Sequence, residues 1–106
     1  MSQQPQVSTA FRAFLEETPA HSAAWMQAVQ ALAEASALDP KTAELAYLAV
    51  LAALRMDSGV PFHVKMAKQA GASREEVLSA ILVGLPAAGH GVTQVLPAAI
   101  AAFEEE

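Results

Sequence analysis

The chain has 106 residues and a formal net charge of −5, with 54% apolar and 16% charged residues. This length predicts one domain with one core. The six lysine and arginine residues are scattered, which argues against nucleic-acid and anionic-membrane partners. The chain has no cysteine, so disulfides and thiol chemistry are excluded from these residues, and we expect a cytoplasmic protein.

The N-terminal residues 1–7 are polar and include glutamine and proline, which predicts a flexible segment. No basic stretch followed by an apolar one occurs there, so we do not expect a signal peptide. Either Ser8 or Thr9 can cap a first short helix. We therefore predict a flexible N-terminus over 1–7 and a single domain over 8–106.

A second helix is predicted after Pro19, because proline is well placed in a first helical turn. Trp25, Val29 and Leu32 recur at a spacing that puts them on one stripe of this helix. Such a stripe indicates packing in the core rather than a cofactor site.

The central helix is predicted to begin at Asp39-Pro40, where aspartate caps and proline occupies the first position. It runs to about Arg55, and residues 45–54 form an uninterrupted apolar run. That run is about half as long as a helix that spans a membrane. An apolar surface on most sides favours a central or interface position. Glu44 stands out because it directly precedes the run.

Breaks and caps divide the rest of the chain. Asp57-Ser58-Gly59 interrupts it, the next helix ends at Gly71, and Ser73 with Glu76 forms a capping box. Pro86 and the stretch AAGHG interrupt the following helix, and residues 92–103 supply the last apolar stripe. No stretch alternates as a half-buried strand does, so we predict an all-α single-domain array of five to seven helices.

The apolar surplus also predicts a homo-oligomer. A domain of about this length buries only about two-thirds of the surface that its unfolded chain exposes. So large an apolar share is hard to hide within one compact chain. We expect partner copies of the same chain, with neither nucleic acid nor membrane as a partner.

Glu44 and His63 are the first candidate chemical residues. They lie 19 positions apart on two consecutive predicted helices, which usually pack antiparallel. An ideal hairpin does not place them at the same height, so the spacing leaves two interpretations open. If they meet, the carboxylate orients the imidazole as a general acid or base. If they do not, His63 is an ordinary core histidine and Glu44 belongs to a salt bridge.

Other polar residues carry weaker signals. His90 lies between glycines in AAGHG, which suits either a ligand-approaching backbone or an exposed loop. Ser58 precedes His63 by five residues and is either a substrate contact or a turn residue. The three histidines, with His21, show no i, i+3 or i, i+4 pair, so no metal site is predicted.

Residues 38–83 resemble the carboxymuconolactone decarboxylase and alkylhydroperoxidase-D-like superfamily. The resemblance rests on LDPKTAEL with its glutamate, on HVK followed by AGASREEV, and on the apolar helix that ends at a glycine. It extends over about residues 11–103. It implies an all-α homo-oligomer, often a trimer or hexamer, with sites near subunit interfaces.

The peroxidase branch of this superfamily has a Cys-x-x-Cys pair between its glutamate and histidine. Carried over, the glutamate falls on Glu44, the histidine on His63, and the two cysteines on Met56 and Gly59. A thioether cannot ionise and attack a hydroperoxide as a thiolate does. The thiol peroxidase cycle therefore cannot run on these residues, and the sequence resembles the branch without the pair.

The decarboxylase branch keeps a histidine in a context like His63-Val64-Lys65 and needs no cofactor. The resemblance implies that Glu44 and His63 share a pocket. It also implies an acid that quenches the charge left by loss of CO₂, with Arg55 or Lys65 as the contact for a substrate carboxylate.

Three functional hypotheses follow. The first is a cofactor-free enzyme of the lyase or decarboxylase type, acting on a small carboxylated or lactone-type molecule. The second is a small-ligand-binding or assembly module on the same fold, without turnover. The third is a peroxidase-type activity as in the cysteine-containing relatives, which the absence of cysteine disfavours.

Overall fold

The structure is a computed structural model that describes residues 8–105. This range contains no β-strand, so the all-α prediction is confirmed, while the predicted flexible segment 1–7 lies outside the described residues. Two 3-10 segments, Asp57–Gly59 and Gly89–Val95, join helices. The α-helices are α1 (Thr9–Glu17), α2 (Pro19–Ala35), α3 (Pro40–Leu54), α4 (Val60–Gln69), α5 (Arg74–Leu82), α6 (Leu85–Ala88) and α7 (Leu96–Glu104).

Three helices, α1, α3 and α5, begin where a side chain accepts a backbone N–H of the first turn. Ser8 caps α1, and the Asp39 carboxylate accepts the Thr42 N–H at 2.8 Å. At the start of α5, Ser73 and Glu76 accept each other's backbone N–H at 3.0 and 2.9 Å, which completes the predicted capping box. Local sequence therefore sets these three starting points.

These caps also tune two carboxyl groups. The backbone hydrogen bond from Thr42 holds the pKa of Asp39 below its ordinary value. The pKa of Glu76 is lowered first by the backbone N–H of Ser73 and then by Lys41, whose Nζ lies 2.9 Å from the carboxylate. In each case the hydrogen bond favours the charged form of the group.

The apolar core lies entirely within the part of the chain from α3 onward. Leu48 on α3 and Ile81 on α5 are its largest fully buried side chains. Helix α3 packs against both α4 and α5, and α7 packs across α4 and α5. The buried apolar residues are Leu48, Leu51, Ala52, Val60, Val64, Ala67, Ala72, Val77, Ile81, Val92, Val95, Ala99 and Ala102.

The α1–α2 hairpin buries almost nothing. Its rings pack together, with the Phe14 and Trp25 centroids 5.9 Å apart, but Ser22 is its one buried residue. The prediction that the Trp25, Val29 and Leu32 stripe lies in the core is wrong for a single chain, because these side chains are 44%, 38% and 71% exposed. The hairpin packs mainly on itself, so no core helix covers the stripe.

The C-terminal region departs from the predicted single helix. Val92 and Val95 are buried but belong to the 3-10 segment Gly89–Val95, and α7 begins at Leu96. The proline that follows Leu96 lies in the first turn of α7, where its missing N–H is tolerated. Gly71 lies beyond the end of α4 with φ of 101°, a conformation that favours glycine.

By length and composition alone, Arg74–Glu104 is apolar enough to cross a membrane. The fold divides this stretch into α5, α6, a 3-10 segment and α7. Helix α5 packs against α7, so the stretch folds back on itself.

Candidate functional site

Helices α3 and α4 bring the two principal candidates together. His63 Nδ1 lies 2.9 Å from Glu44 Oε1, and the two side chains are 21% and 23% exposed. Because a carboxylate can only accept, Nδ1 carries the hydrogen and donates it. The two side chains therefore contact each other, which sequence spacing alone had left open.

The connection between the two helices is not a simple hairpin. Helix α3 ends at Leu54, and the next residue, Arg55, has φ of 57° and ψ of 41°. The 3-10 segment Asp57–Gly59 follows. Helix α4 then begins with Val60 buried. This path brings the first turn of α4 beside the second turn of α3, which sequence spacing did not predict.

Two aromatic rings fix the orientation of the imidazole. Tyr47 stacks on His63 with centroids 4.1 Å apart and planes 21° from parallel. Phe62 meets the same ring edge-on, at 5.1 Å and 87°. With Nδ1 directed at Glu44, Nε2 is the nitrogen that can meet a ligand, and no other described residue hydrogen-bonds to it.

Tyr47 is, with Phe62, one of the two site residues that the sequence did not predict. It follows Glu44 by three positions, so both lie on the same face of α3. That spacing was a usable signal, but the surrounding apolar run made the tyrosine resemble one more packing residue. Its ring is 47% exposed, which leaves one edge of the site open in a single chain.

The two candidate cations lie apart from the pair. Lys65 forms an ion pair with Glu105 beside α7. The Arg55 guanidinium lies against Gly91, where an added Cβ would be 2.6 Å from Nη2. Arg55 also follows Glu44 by eleven positions, about 16 Å along a helix axis. Within one chain, then, the structure does not bring either cation next to His63.

The remaining candidates also lie elsewhere. Ser58 is an exposed residue of the 3-10 segment Asp57–Gly59. It lies between Met56 and Gly59, the positions onto which the cysteines of the peroxidase branch fall. His90 is exposed in the segment Gly89–Val95, where its carbonyl accepts the Thr93 hydroxyl at 2.8 Å. Neither Ser58 nor His90 forms a described contact with His63.

A metal centre has no support in the described range. Between residues 8 and 105, no group of three histidine, aspartate or glutamate side chains is arranged to hold a metal ion. A pair of ligands such as Glu44 and His63 falls short of the three protein ligands of a catalytic zinc site.

A separate open groove of about 510 Å³ runs between α3 and α5. It is lined by residues of the opposite side of α3 from Glu44 and Tyr47, and neither His63 nor Glu44 borders it. Its lining is mostly apolar, so it offers packing surface rather than acid–base chemistry. The lining residues are Thr42, Leu45, Ala46, Ala49, Glu75, Glu76, Ser79, Ala80 and Val83.

Comparison with known proteins agrees with the helical architecture. Residues 19–105 match the model of the carboxymuconolactone decarboxylase family. No curated protein and no solved structure matches the chain. The match covers most of the sequence, from α2 to the end of α7, and the chain therefore belongs to the carboxymuconolactone decarboxylase family.

Proposed function

We propose that this family member is a cofactor-free lyase that decarboxylates a small carboxylated or lactone-type molecule. The observation that supports it most strongly is the 2.9 Å hydrogen bond between His63 Nδ1 and Glu44 Oε1. That contact leaves Nε2 of an oriented imidazole facing a ligand. Family membership supports this class of reaction, and the pair offers an acid suited to it.

The chemical step assigns one role to each residue. The bond between the substrate carbon and its carboxylate breaks, CO₂ leaves, and the electron pair remains on carbon, delocalised toward the lactone carbonyl. His63, protonated at Nε2, gives its proton to that carbon and becomes neutral. Glu44 stabilises the imidazolium before transfer, and a proton from water then restores it.

Tyr47 and Phe62 are positioning residues in this scheme. Their rings bracket the imidazole at 4.1 and 5.1 Å, so they restrict its rotation about the side-chain bonds. Positioned proton transfer is worth roughly 10²–10⁴-fold in rate. An imidazole held in one orientation keeps more of that factor than a mobile one.

The test is decarboxylation measured by ¹H NMR, with the carboxymuconolactone of the family name as the first probe. We expect His63→Gln to lower the rate by about 10²-fold or more while the helical circular dichroism is unchanged. His21→Gln is the matched control, because His21 is an exposed residue at the start of α2. Equal rates for the two variants would overturn the proposal.

A second function, binding of a small ligand without turnover, is favoured by one observation. Tyr47 and Phe62 are 47% and 43% exposed, an aromatic surface that can hold a planar ligand as it stands. This alternative predicts that the probe raises the melting temperature without any product. A thiol peroxidase cycle has no support, since the chain has no cysteine.

We also propose that the protein acts in the cytoplasm as a homo-oligomer. The support is the apolar surface that one chain leaves uncovered, on α2 and around the site. Helix α2 has one acidic residue, Glu34, and no lysine or arginine in its 17 residues, which suits burial against another copy. The exposed apolar side chains include Trp25, Met26, Val29, Leu32, Val50 and Leu54.

A further inference from the structure

Arg55 holds a conformation that its side chain does not favour. Its φ of 57° and ψ of 41° are left-handed, and it is the one residue other than glycine with positive φ between residues 8 and 105. The Cβ of an L-residue crowds the following carbonyl there, so glycine is the usual choice at such a helix end. An arginine at this position is therefore unfavourable for folding, so its presence calls for a role other than stabilising the backbone.

Gly91 is the residue against which the Arg55 guanidinium lies. A Cβ built on it would lie 2.6 Å from Nη2 and 2.7 Å from Cζ of Arg55, closer than carbon atoms tolerate. Glycine thus leaves the space that the guanidinium fills, and a side chain at this position would push the Arg55 guanidinium away. The left-handed backbone at Arg55 and the missing side chain at Gly91 together place one guanidinium on one surface.

The charge of this guanidinium is not satisfied within the described chain. No carboxylate among residues 8–105 forms an ion pair with Arg55, whereas Lys41, Lys65 and Arg74 each pair with a glutamate. Arg55 is also exposed, so its donors face solvent on the side away from Gly91. A planar fork of N–H donors fits the two oxygens of a carboxylate or phosphate.

We propose that Arg55, seated on Gly91, is a binding site for the oxyanion group, carboxylate or phosphate, of a small ligand. The site is distinct from the Glu44–His63 pair, because Arg55 follows Glu44 by about 16 Å along α3. It does not depend on the proposed lyase activity. His90 adjoins Gly91 in sequence and is exposed, which puts a second titratable side chain in the same segment.

The first experiment follows the Nε–Hε signals of the arginines in ¹H–¹⁵N NMR spectra. Succinate and inorganic phosphate are titrated in separate series at constant ionic strength, with sodium chloride as the third. We expect a saturable shift of the Arg55 signal with succinate, phosphate or both, and the stronger of the two identifies the oxyanion. Arg74, whose Nε lies 3.4 Å from Glu104, is the internal control.

An Arg55 signal that stays fixed in all three series would overturn the inference. The same holds if its shift is linear and equal with chloride, which indicates general screening. A shift of Arg74 as large as that of Arg55 would have the same meaning, because Arg74 already has a carboxylate partner in Glu104.

Variants separate binding from a structural role. Arg55→Gly removes the guanidinium and relieves the backbone, so we expect loss of oxyanion binding together with a melting temperature about 2–4 °C higher. Arg55→Lys keeps the positive charge but lacks the planar pair of N–H donors, so the affinity for the oxyanion should weaken at least threefold. A lower melting temperature in Arg55→Gly would show that the arginine is a packing residue and would contradict the inference.

Gly91→Ala tests the contact between Gly91 and the Arg55 guanidinium. The new methyl group displaces the guanidinium, so the oxyanion affinity should fall while the Arg55 charge remains. Unchanged affinity in a folded Gly91→Ala protein would contradict the role assigned to Gly91. The site and the lyase proposal fail separately, since His63→Gln should leave the Arg55 titration unchanged.

Discussion

The α1–α2 hairpin and the α3–α7 region use the same kind of apolar sequence in different ways. From α3 onward, apolar side chains meet one another, and Leu48, Val64 and Ile81 are fully buried. In the hairpin, Trp25, Val29 and Leu32 remain exposed, although their spacing is equally regular. Periodicity thus identifies the apolar face of a helix but does not identify what covers that face.

The comparison also separates two sources of helix stability. Helices α3 and α5 have both caps and a packed face, whereas α1 and α2 have little tertiary burial to support them. Helices of about 9 and 17 residues are marginal alone in water, because helix nucleation is unfavourable. In the proposed homo-oligomer, contacts with another copy would supply the burial that the hairpin lacks within a single chain.

The largest predicted effect is the loss of stability when a core side chain is shortened, compared with an exposed side chain on the same helix. Leu48→Ala should lower the free energy of unfolding by about 2–5 kcal/mol, because it leaves a cavity in the core. Val50→Ala is the matched control on the same helix, since Val50 is 56% exposed, and its cost should stay under about 1 kcal/mol. Urea denaturation followed by circular dichroism measures both. Similar costs for the two variants would mean that the core is misplaced.

The second prediction concerns assembly. The wild-type mass measured by light scattering should equal several chains, and a mass of one chain would contradict the homo-oligomer. Leu32→Glu should raise the dissociation constant about tenfold or more, because it places a charge in an apolar contact. Gln30→Glu adds the same charge to another face of α2, and its mass should match wild type.

The smallest predicted difference is in response to acid. The lowered pKa values of Asp39 and Glu76 mean that the folded state binds these protons less readily than the unfolded state. Their stabilisation is therefore complete above the unfolded pKa values and is lost as the pH falls through the folded ones. No acidic residue occupies the first turn of α1 or α2, so neither helix has a first-turn carboxylate like Glu76.

Denaturation of wild type and of Glu76→Gln between about pH 6 and pH 2.5 measures this effect. The stability difference between the two proteins should shrink as the pH falls, since protonation removes the charge that the variant already lacks. Glu75→Gln is the control, because Glu75 lies in the same turn without a resolved partner. A difference that is constant across this range would contradict the assigned role of Glu76.

Sequence predicted the local features of the fold well, because each depends on residues close together in the chain. The caps at Asp39 and Ser73 and the break at 57–59 are such features. The burial of α2 was predicted wrongly because it depends on a covering surface elsewhere. The 3-10 path of Val92 and Val95 was missed because an apolar spacing of three suits both helix types.

The candidate site was predictable in composition but not in geometry. The residue pattern singled out Glu44 and His63, and helix spacing alone left their contact open. The resemblance to the family implied that they share a pocket. Tyr47 was missed because stacking against an imidazole depends on how α3 and α4 pack. The proposed oxyanion site likewise depends on a contact between Arg55 and Gly91, which lies 36 positions later in the chain. No local sequence pattern predicts a contact over that separation.

The central claim is that Glu44 holds His63 with Nδ1–H bonded and Nε2 free. The most direct measurement is the tautomer of His63, read from ¹⁵N chemical shifts of the imidazole in alkaline buffer, with His63→Gln for assignment. The account predicts the Nδ1–H tautomer in wild type and its loss in Glu44→Ala. An Nε2–H tautomer in wild type, unchanged in Glu44→Ala, would contradict it. Nε2 of the neutral ring would then already carry a hydrogen and could not accept the proton from water that restores the acid in the proposed reaction.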